Sequence, residues 1–127
     1  SLRTLFGFPH EERMAAFNLL KEFGLGHSFG KWVAETSRGE QQRVAVARTL
    51  HQDPPVYLAD EPVASMDEAL AERVLTRLAD QARKKAKAVI CVLHDPRQIE
   101  RFADRVIELG QGSPDGWTIR KNGKPSS

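Results

Sequence analysis

Hydrophobic positions along the chain follow two different periods. Between Glu11 and Phe23, residues Met14, Phe17, Leu20 and Phe23 recur at near-helical spacing, with Leu19 widening the stripe. This predicts an amphipathic helix, and Gly24 supplies its stop. Gly26 to Glu35 reads as an irregular connector carrying Phe29 and Trp32. Ser37-Arg38-Gly39-Glu40 then has the S-x-x-E form of a capping box, in which the serine hydroxyl accepts a first-turn amide and the glutamate reaches back. The helix it opens is predicted to run to about His51 or Gln52, because Asp53-Pro54-Pro55 ends it.

The pattern then changes. Val56-Tyr57-Leu58-Ala59 and Ala88-Val89-Ile90-Cys91-Val92-Leu93 are short, unbroken apolar runs. Such runs predict strands of a parallel sheet covered on both faces. Between them Leu70, Val74, Leu78 and Ala82 repeat every four residues, predicting a helix from Glu68 to Lys84 whose basic end, Arg83-Lys84-Lys85, suits the helix dipole. Asp95 and Pro96 mark another helix start, with Ile99, Phe102 and Ala103 as its inner stripe. Val106–Leu109 is a third strand, Gly110 to Gly116 is turn-rich, Trp117–Ile119 is an edge strand, and the tail from Lys121 to Ser127 is loose.

Strand, helix, strand, helix, strand is the alternation of an α/β fold with a mainly parallel sheet flanked by helices, here preceded by a helical N-terminal part. Ligands of open sheets of this kind sit at the carboxyl ends of the strands. That rule selects Asp60-Glu61 and His94-Asp95.

Composition narrows the picture. The 127 residues, 40% hydrophobic and 28% charged, suit one ordinary domain with a packed core. A net charge of +2 does not argue for nucleic acid or an anionic membrane surface. The single cysteine, Cys91, rules out an internal disulfide framework and lies in an apolar run, as a buried structural thiol does. No apolar stretch approaches the length of a membrane span, and no signal peptide is visible.

Taken singly, the polar candidates have plain structural roles. Asp60 could help hold Mg²⁺ and Glu61 could orient or deprotonate a water, yet two acids after a strand also form turns and helix starts. His94 could hydrogen-bond a phosphate oxygen or end a strand as a neutral imidazole. Ser37 and Gly39 open a helix whose amides form an anion site, although the capping box alone explains them. Gln41, Gln42, Arg43 and Arg48 read as a solvated helix face.

Their order and spacing carry more. Thr36-Ser37-Arg38-Gly39-Glu40-Gln41-Gln42-Arg43-Val44-Ala45-Val46-Ala47-Arg48 resembles the signature helix of ABC-type ATPases, usually written LSGGQ followed by QQRVAIAR. Val56–Pro62 resembles their Walker B strand, Ala64-Ser65-Met66-Asp67 their D-loop, and His94 falls at their switch histidine. The resemblance covers roughly Glu11 to Gly110. It implies an ATP hydrolase using ATP and Mg²⁺, in which two subunits pair head to tail around the nucleotides. Asp60 would bind the metal, Glu61 would be the catalytic base, and His94 would sense the γ-phosphate. Ser37, Arg38, Gly39 and Glu40 would face nucleotide held by the partner, and Asp67 would link the two sites. Transmembrane permease subunits would be further partners, with Phe6, Phe8, Phe29 and Trp32 as candidate contacts. The location implied is cytoplasmic, at the inner face of the membrane, with no direct nucleic acid.

There are departures. The P-loop, G-x-x-x-x-G-K-S/T, occurs nowhere in the chain, nor does the Q-loop glutamine. The chain is therefore read as a fragment: residues 1–52 a portion of the helical subdomain, residues 53–127 the C-terminal part of the α/β core, inactive without the missing half. Arg38 replaces a glycine of the signature and Glu40 its glutamine. Strands cut off from their neighbours predict an exposed apolar edge and self-association or marginal stability. Two other readings stay open: a non-transport ABC ATPase of the DNA-repair or chromosome type, and a non-catalytic remnant. The Glu61–Asp67 stretch is similar to phosphonate-importer and lipoprotein-exporter ATPases, which leaves cargo and direction undecided.

Overall fold

A computed structural model of the chain describes residues 9–110 and 114–122. Phe6 and Phe8, part of the turn-rich stretch at residues 111–113, and the tail from residue 123 lie outside the described residues. The chain forms two compact units, Ser1–Val92 and Leu93–Ser127.

The first unit begins with α1, His10–Glu22, followed by Gly24 at φ 71°, a left-handed conformation that glycine adopts without strain. Its inner line is Ala16, Leu20 and Phe23, spaced at i, i+4 and i+7. Met14, expected in that stripe, lies off this line and is 42% exposed. Two short 3₁₀ turns, Gly26–Ser28 and Val33–Glu35, make up the connector, and Phe29 meets Phe17 edge-on with centroids 5.1 Å apart. Helix α2, Arg38–Gln52, packs against α1 through Ala47 and Leu50.

Asp53 closes α2 at φ 50° and takes a Lys87 ammonium on its backbone oxygen at 2.7 Å. This fastens the entry of β1, Val56–Asp60, beside the entry of β2, Ala88–Val92. The two strands pair in parallel with Val56 opposite Ala88 and Asp60 opposite Val92. Helix α3, Glu68–Lys85, crosses between them and packs on β2, burying Leu70, Ala71, Val74, Leu75 and Leu78. Tyr57 is buried beneath it and donates its hydroxyl to Gln81 Oε1 at 3.3 Å.

The strands differ from expectation in one respect. Both were read as covered on two faces, but burial alternates along each. Tyr57, Ala59, Val89 and Cys91 point toward the covered side, whereas Val56, Leu58, Ile90 and Val92 are exposed. An unbroken apolar run is the sequence pattern of a strand with helices on both faces. The described chain supplies a helix to one.

The second unit holds α4, Pro96–Phe102, and an antiparallel pair of strands, β3, Arg105–Leu109, and β4, Trp117–Lys121. Asp95 caps α4 by accepting the Arg97 amide at 2.9 Å, with Pro96 in the first turn as expected. Asn122 closes its other end: the side-chain amide donates to the carbonyls of Ile99, Glu100 and Ala103 at 2.9–3.0 Å. Strand β3 thus pairs with β4 in a sheet separate from β1 and β2.

Candidate functional site

The site is built around the exit of β1. Asp60 is the last residue of the strand and is exposed. Glu61 follows at φ 46°, left-handed and unfavourable by about 1–2 kcal/mol for a residue with a Cβ. Its amide donates to the Val92 carbonyl at 3.2 Å, and its carbonyl accepts the Ala64 amide at 3.2 Å. The chain then buries Pro62 and Val63, and a second turn, Met66 N–H to Val63 O at 3.1 Å, delivers it to α3. Asp67 is the N-cap of α3 and accepts the Leu70 amide at 2.9 Å.

The N-terminus of α2 lies against this loop. A Cβ on Gly39 would stand 3.6 Å from Ser65 Oγ, ordinary contact, and Gly39 has no positive φ. Among the described residues, no steric contact or backbone angle demands glycine there. Gln42, one turn further on, donates Nε2 to the Glu61 carbonyl at 2.8 Å and accepts the Ser65 hydroxyl on its Oε1. Gln42 reads from sequence as a solvated residue and Ser65 carries no signal of its own. Gln42 and Ser65 lie within the signature and D-loop resemblances, but neither pattern pairs them; Gln42 also shares a helix face with Gly39.

The capping box forms as its sequence predicts. The Ser37 hydroxyl accepts the Glu40 amide at 3.2 Å, and the Ser37 amide donates to Glu40 Oε2 at 2.8 Å. The buried Ser28 hydroxyl donates to Glu40 Oε1 at 3.0 Å, and His27 Nε2 lies 3.0 Å from the same oxygen. These bonds, the Ser37 amide first, then the hydroxyls of Ser37 and Ser28 and the His27 ring, lower the Glu40 pKa to about 2. Glu40 thus spends its charge on the helix start and the connector. Arg38, the first residue of α2, is exposed.

Ser37, Arg38, Gly39, Glu40, Asp60, Glu61 and Asp67 all belong to the first unit, where the β1 exit, the α2 N-terminus and the α3 cap are held together. His94 stands between β2 and α4, at the start of the second unit, and is exposed. Among the described residues no group of three or more His, Cys, Asp or Glu is placed to hold a metal ion. No helix of the described residues is long and apolar enough to cross a membrane.

A parallel β-pair with acids at its carboxyl end, a helix packed on one face and a second helix N-terminus set against the acidic loop form part of an α/β domain with a ligand-type site at the strand ends. Comparison with known proteins agrees. The family described as "ABC transporter" matches residues 4–64. The chain is 40% identical over 110 residues to the phosphonates import ATP-binding protein PhnC of Trichormus variabilis, covering 87% of this chain and 45% of that one. It is 42% identical over 109 residues to the phosphite import ATP-binding protein PxtA of Stutzerimonas stutzeri, covering 86% of this chain and 40% of that one. Among solved structures, the dimeric bacterial ABC transporter cassette MJ0796 superposes with a TM-score of 0.67 at 35% identity, over 80% of this chain and 44% of the cassette. The same cassette bound to ADP and Pi also matches, with a TM-score of 0.67 at 34% identity and the same coverage.

Over most of its own length the chain is similar to ATP-binding subunits of ABC transporters, and the ABC transporter family matches its first half. The chain spans under half the length of these relatives.

Proposed function

We propose that the chain is the signature-and-Walker-B portion of an ATP-binding subunit that powers a membrane transporter. The observation that carries this is the junction of Gly39 with the Ser65 loop, which sets the α2 N-terminus against the segment bearing Asp60 and Glu61. In this reading residues 1–52 belong to the helical subdomain and residues 53–127 to the catalytic core.

Asp60 suits Mg²⁺, a cation that keeps waters and phosphate oxygens and needs few protein carboxylates. Bound there with ATP, Mg²⁺ would neutralise charge on the phosphate oxygens. Glu61 accepts the proton of the attacking water, and His94 donates to a γ-phosphate oxygen. Ser37, Arg38 and Gly39 present the positive end of α2 to the triphosphate held by a second ATPase subunit, in a head-to-tail pair. Glu40 acts there through the cap it completes, and Asp67 joins the two sites across the pair. Permease subunits anchor the assembly at the cytoplasmic face of the membrane.

The relatives named for phosphonate and phosphite favour an importer. A relative of Staphylococcus saprophyticus named for hemin import is 41% identical over 102 residues, covering 80% of this chain and 46% of its own length. Comparable identity to proteins with such different cargoes supports a cargo choice made by other subunits.

The test combines the purified chain with an N-terminal cassette segment bearing a P-loop, and follows phosphate release with ATP and Mg²⁺. Hydrolysis that requires both parts and falls at least a hundredfold in Glu61→Gln, with nucleotide binding retained, is the expected result. Hydrolysis indifferent to Glu61 would sink the assignment.

A further inference from the structure

The first unit holds Glu61 in a conformation that its own backbone disfavours, and two long-range hydrogen bonds grip that residue from opposite sides. Val92 accepts the Glu61 amide at 3.2 Å from β2, and Gln42 Nε2 donates to the Glu61 carbonyl at 2.8 Å from α2. The third bond, from the Ala64 amide at 3.2 Å, is local and travels with the loop wherever it goes. A left-handed residue with a Cβ persists only where its surroundings over-determine it. The Val92 bond continues the β1–β2 ladder and says where the strand ends. The Gln42 bond is made by a side chain, and nothing in the regular structure of α2 requires it.

Gln42 is itself oriented. Its Oε1 accepts the Ser65 hydroxyl, which leaves Nε2 facing Glu61. A flipped amide would set its oxygen against the Glu61 carbonyl, two acceptors in contact. Ser65 in turn stands within 3.6 Å of where a Gly39 Cβ would be, so the brace is seated on the first turn of α2.

We infer that Gln42, braced by Ser65, is a positioning residue for Glu61: its side-chain amide holds the Glu61 peptide in the left-handed conformation from which the carboxylate projects. The inference deepens the proposed function and rests on reading Glu61 as the hydrolytic carboxylate. Gln42 touches no reacting atom in this scheme. It fixes the backbone that carries one.

The experiment is done on the full chain, isotopically labelled, by NMR. The readouts are the intraresidue amide–Hα distance of Glu61, which is short only at positive φ, and the exchange rate of its amide. Gln42→Ala is expected to lengthen that distance and to raise exchange about fivefold to tenfold, the equivalent of one lost hydrogen bond, with the Tyr57 and Val74 amides unchanged. Gln42→Glu keeps the shape but cannot donate while ionised. It should behave like Gln42→Ala at neutral pH and recover the short distance as the introduced carboxyl protonates, a pH profile that a merely structural residue would not produce. Ser65→Ala should shift the same readouts in the same direction, by less. If Gln42→Ala unfolds the chain, Gln42→Glu and Ser65→Ala decide the matter. A short distance and full protection at Glu61 in Gln42→Glu at neutral pH would overturn the proposal. These readouts are geometric, so loss of the hydrolytic reading, seen as Glu61-independent turnover in the reassembled ATPase, would leave them unaltered and be told apart.

Discussion

Leu58 stands directly opposite Ile90 in the parallel register of β1 and β2, and the two side chains are 75% and 60% exposed. Both belong to one face of the sheet, with Val56 and Val92 beside them, while α3 covers the other. A contiguous apolar face of this kind binds hydrophobic probes and promotes association. Replacing Leu58 and Ile90 together by lysine should therefore reduce fluorescence of a hydrophobic dye severalfold and abolish concentration-dependent sedimentation. Melting should change little, because neither side chain is packed. A double variant that melts much lower would show that this face is covered in solution.

Stability resides in the buried side chains of the first unit. Phe23 is fully buried in the first unit, next to the α1 terminus that Gly24 closes. Phe23→Ala should cost about 3–5 kcal/mol, a large part of the stability of a small domain. Denaturant unfolding followed by circular dichroism measures it, and a loss below about 1 kcal/mol would show that Phe23 does not anchor this core.

The capping box makes a separate prediction with a defined pH window. Glu40 has its pKa lowered from 4.5 to about 2 by its bonds to Ser37, Ser28 and His27. A depressed carboxylate stabilises the fold above its unfolded pKa and loses that contribution as pH falls through the folded value. The wild-type melting temperature should accordingly fall between about pH 4.5 and pH 2 more steeply than that of Glu40→Gln. Parallel acid profiles of the two proteins would refute the assignment. At neutral pH, Ser37→Ala should cost about 0.5–2 kcal/mol and Ser37→Gly only a few tenths.

Asn122 tests whether the two units respond independently. Its amide satisfies three carbonyls at the end of α4, all within the second unit. Asn122→Ala leaves those acceptors without this donor and should speed amide exchange in α4 by about tenfold. Exchange at Val74 and Leu75 in the first unit should stay as it was. Equal acceleration in both would mean that the chain opens as a single cooperative body.

These cases also show which parts of the molecule could be read in advance. The Ser37–Glu40 box, the Asp95–Pro96 start and the extent of α3 are local, set by residues three or four positions apart, and each forms as its pattern predicts. The exposed sheet face could not be read, because an apolar run specifies what a strand needs and not what the chain supplies. The Gln42–Glu61 bond joins residues 19 apart in sequence, so no window of helical or strand periodicity contains it. Asn122 is a polar residue after a strand until the fold brings the end of α4 to it.

Cys91 provides a chemical probe of the covered face. It lies in β2 opposite Ala59, half-buried, and burial pushes its thiol pKa from 9.0 up to about 11. The thiolate is the reactive form, so below pH 9 the folded chain holds about a hundredfold less of it than an ordinary cysteine. Alkylation by iodoacetamide at pH 8 should be at least that much slower than in denaturant. It should accelerate in Phe23→Ala if that variant opens the first unit as a whole, and stay slow in Asn122→Ala, whose effect is confined to the second. Rapid labelling of the native wild type would place Cys91 on an accessible face and overturn the packing of β2 against α3.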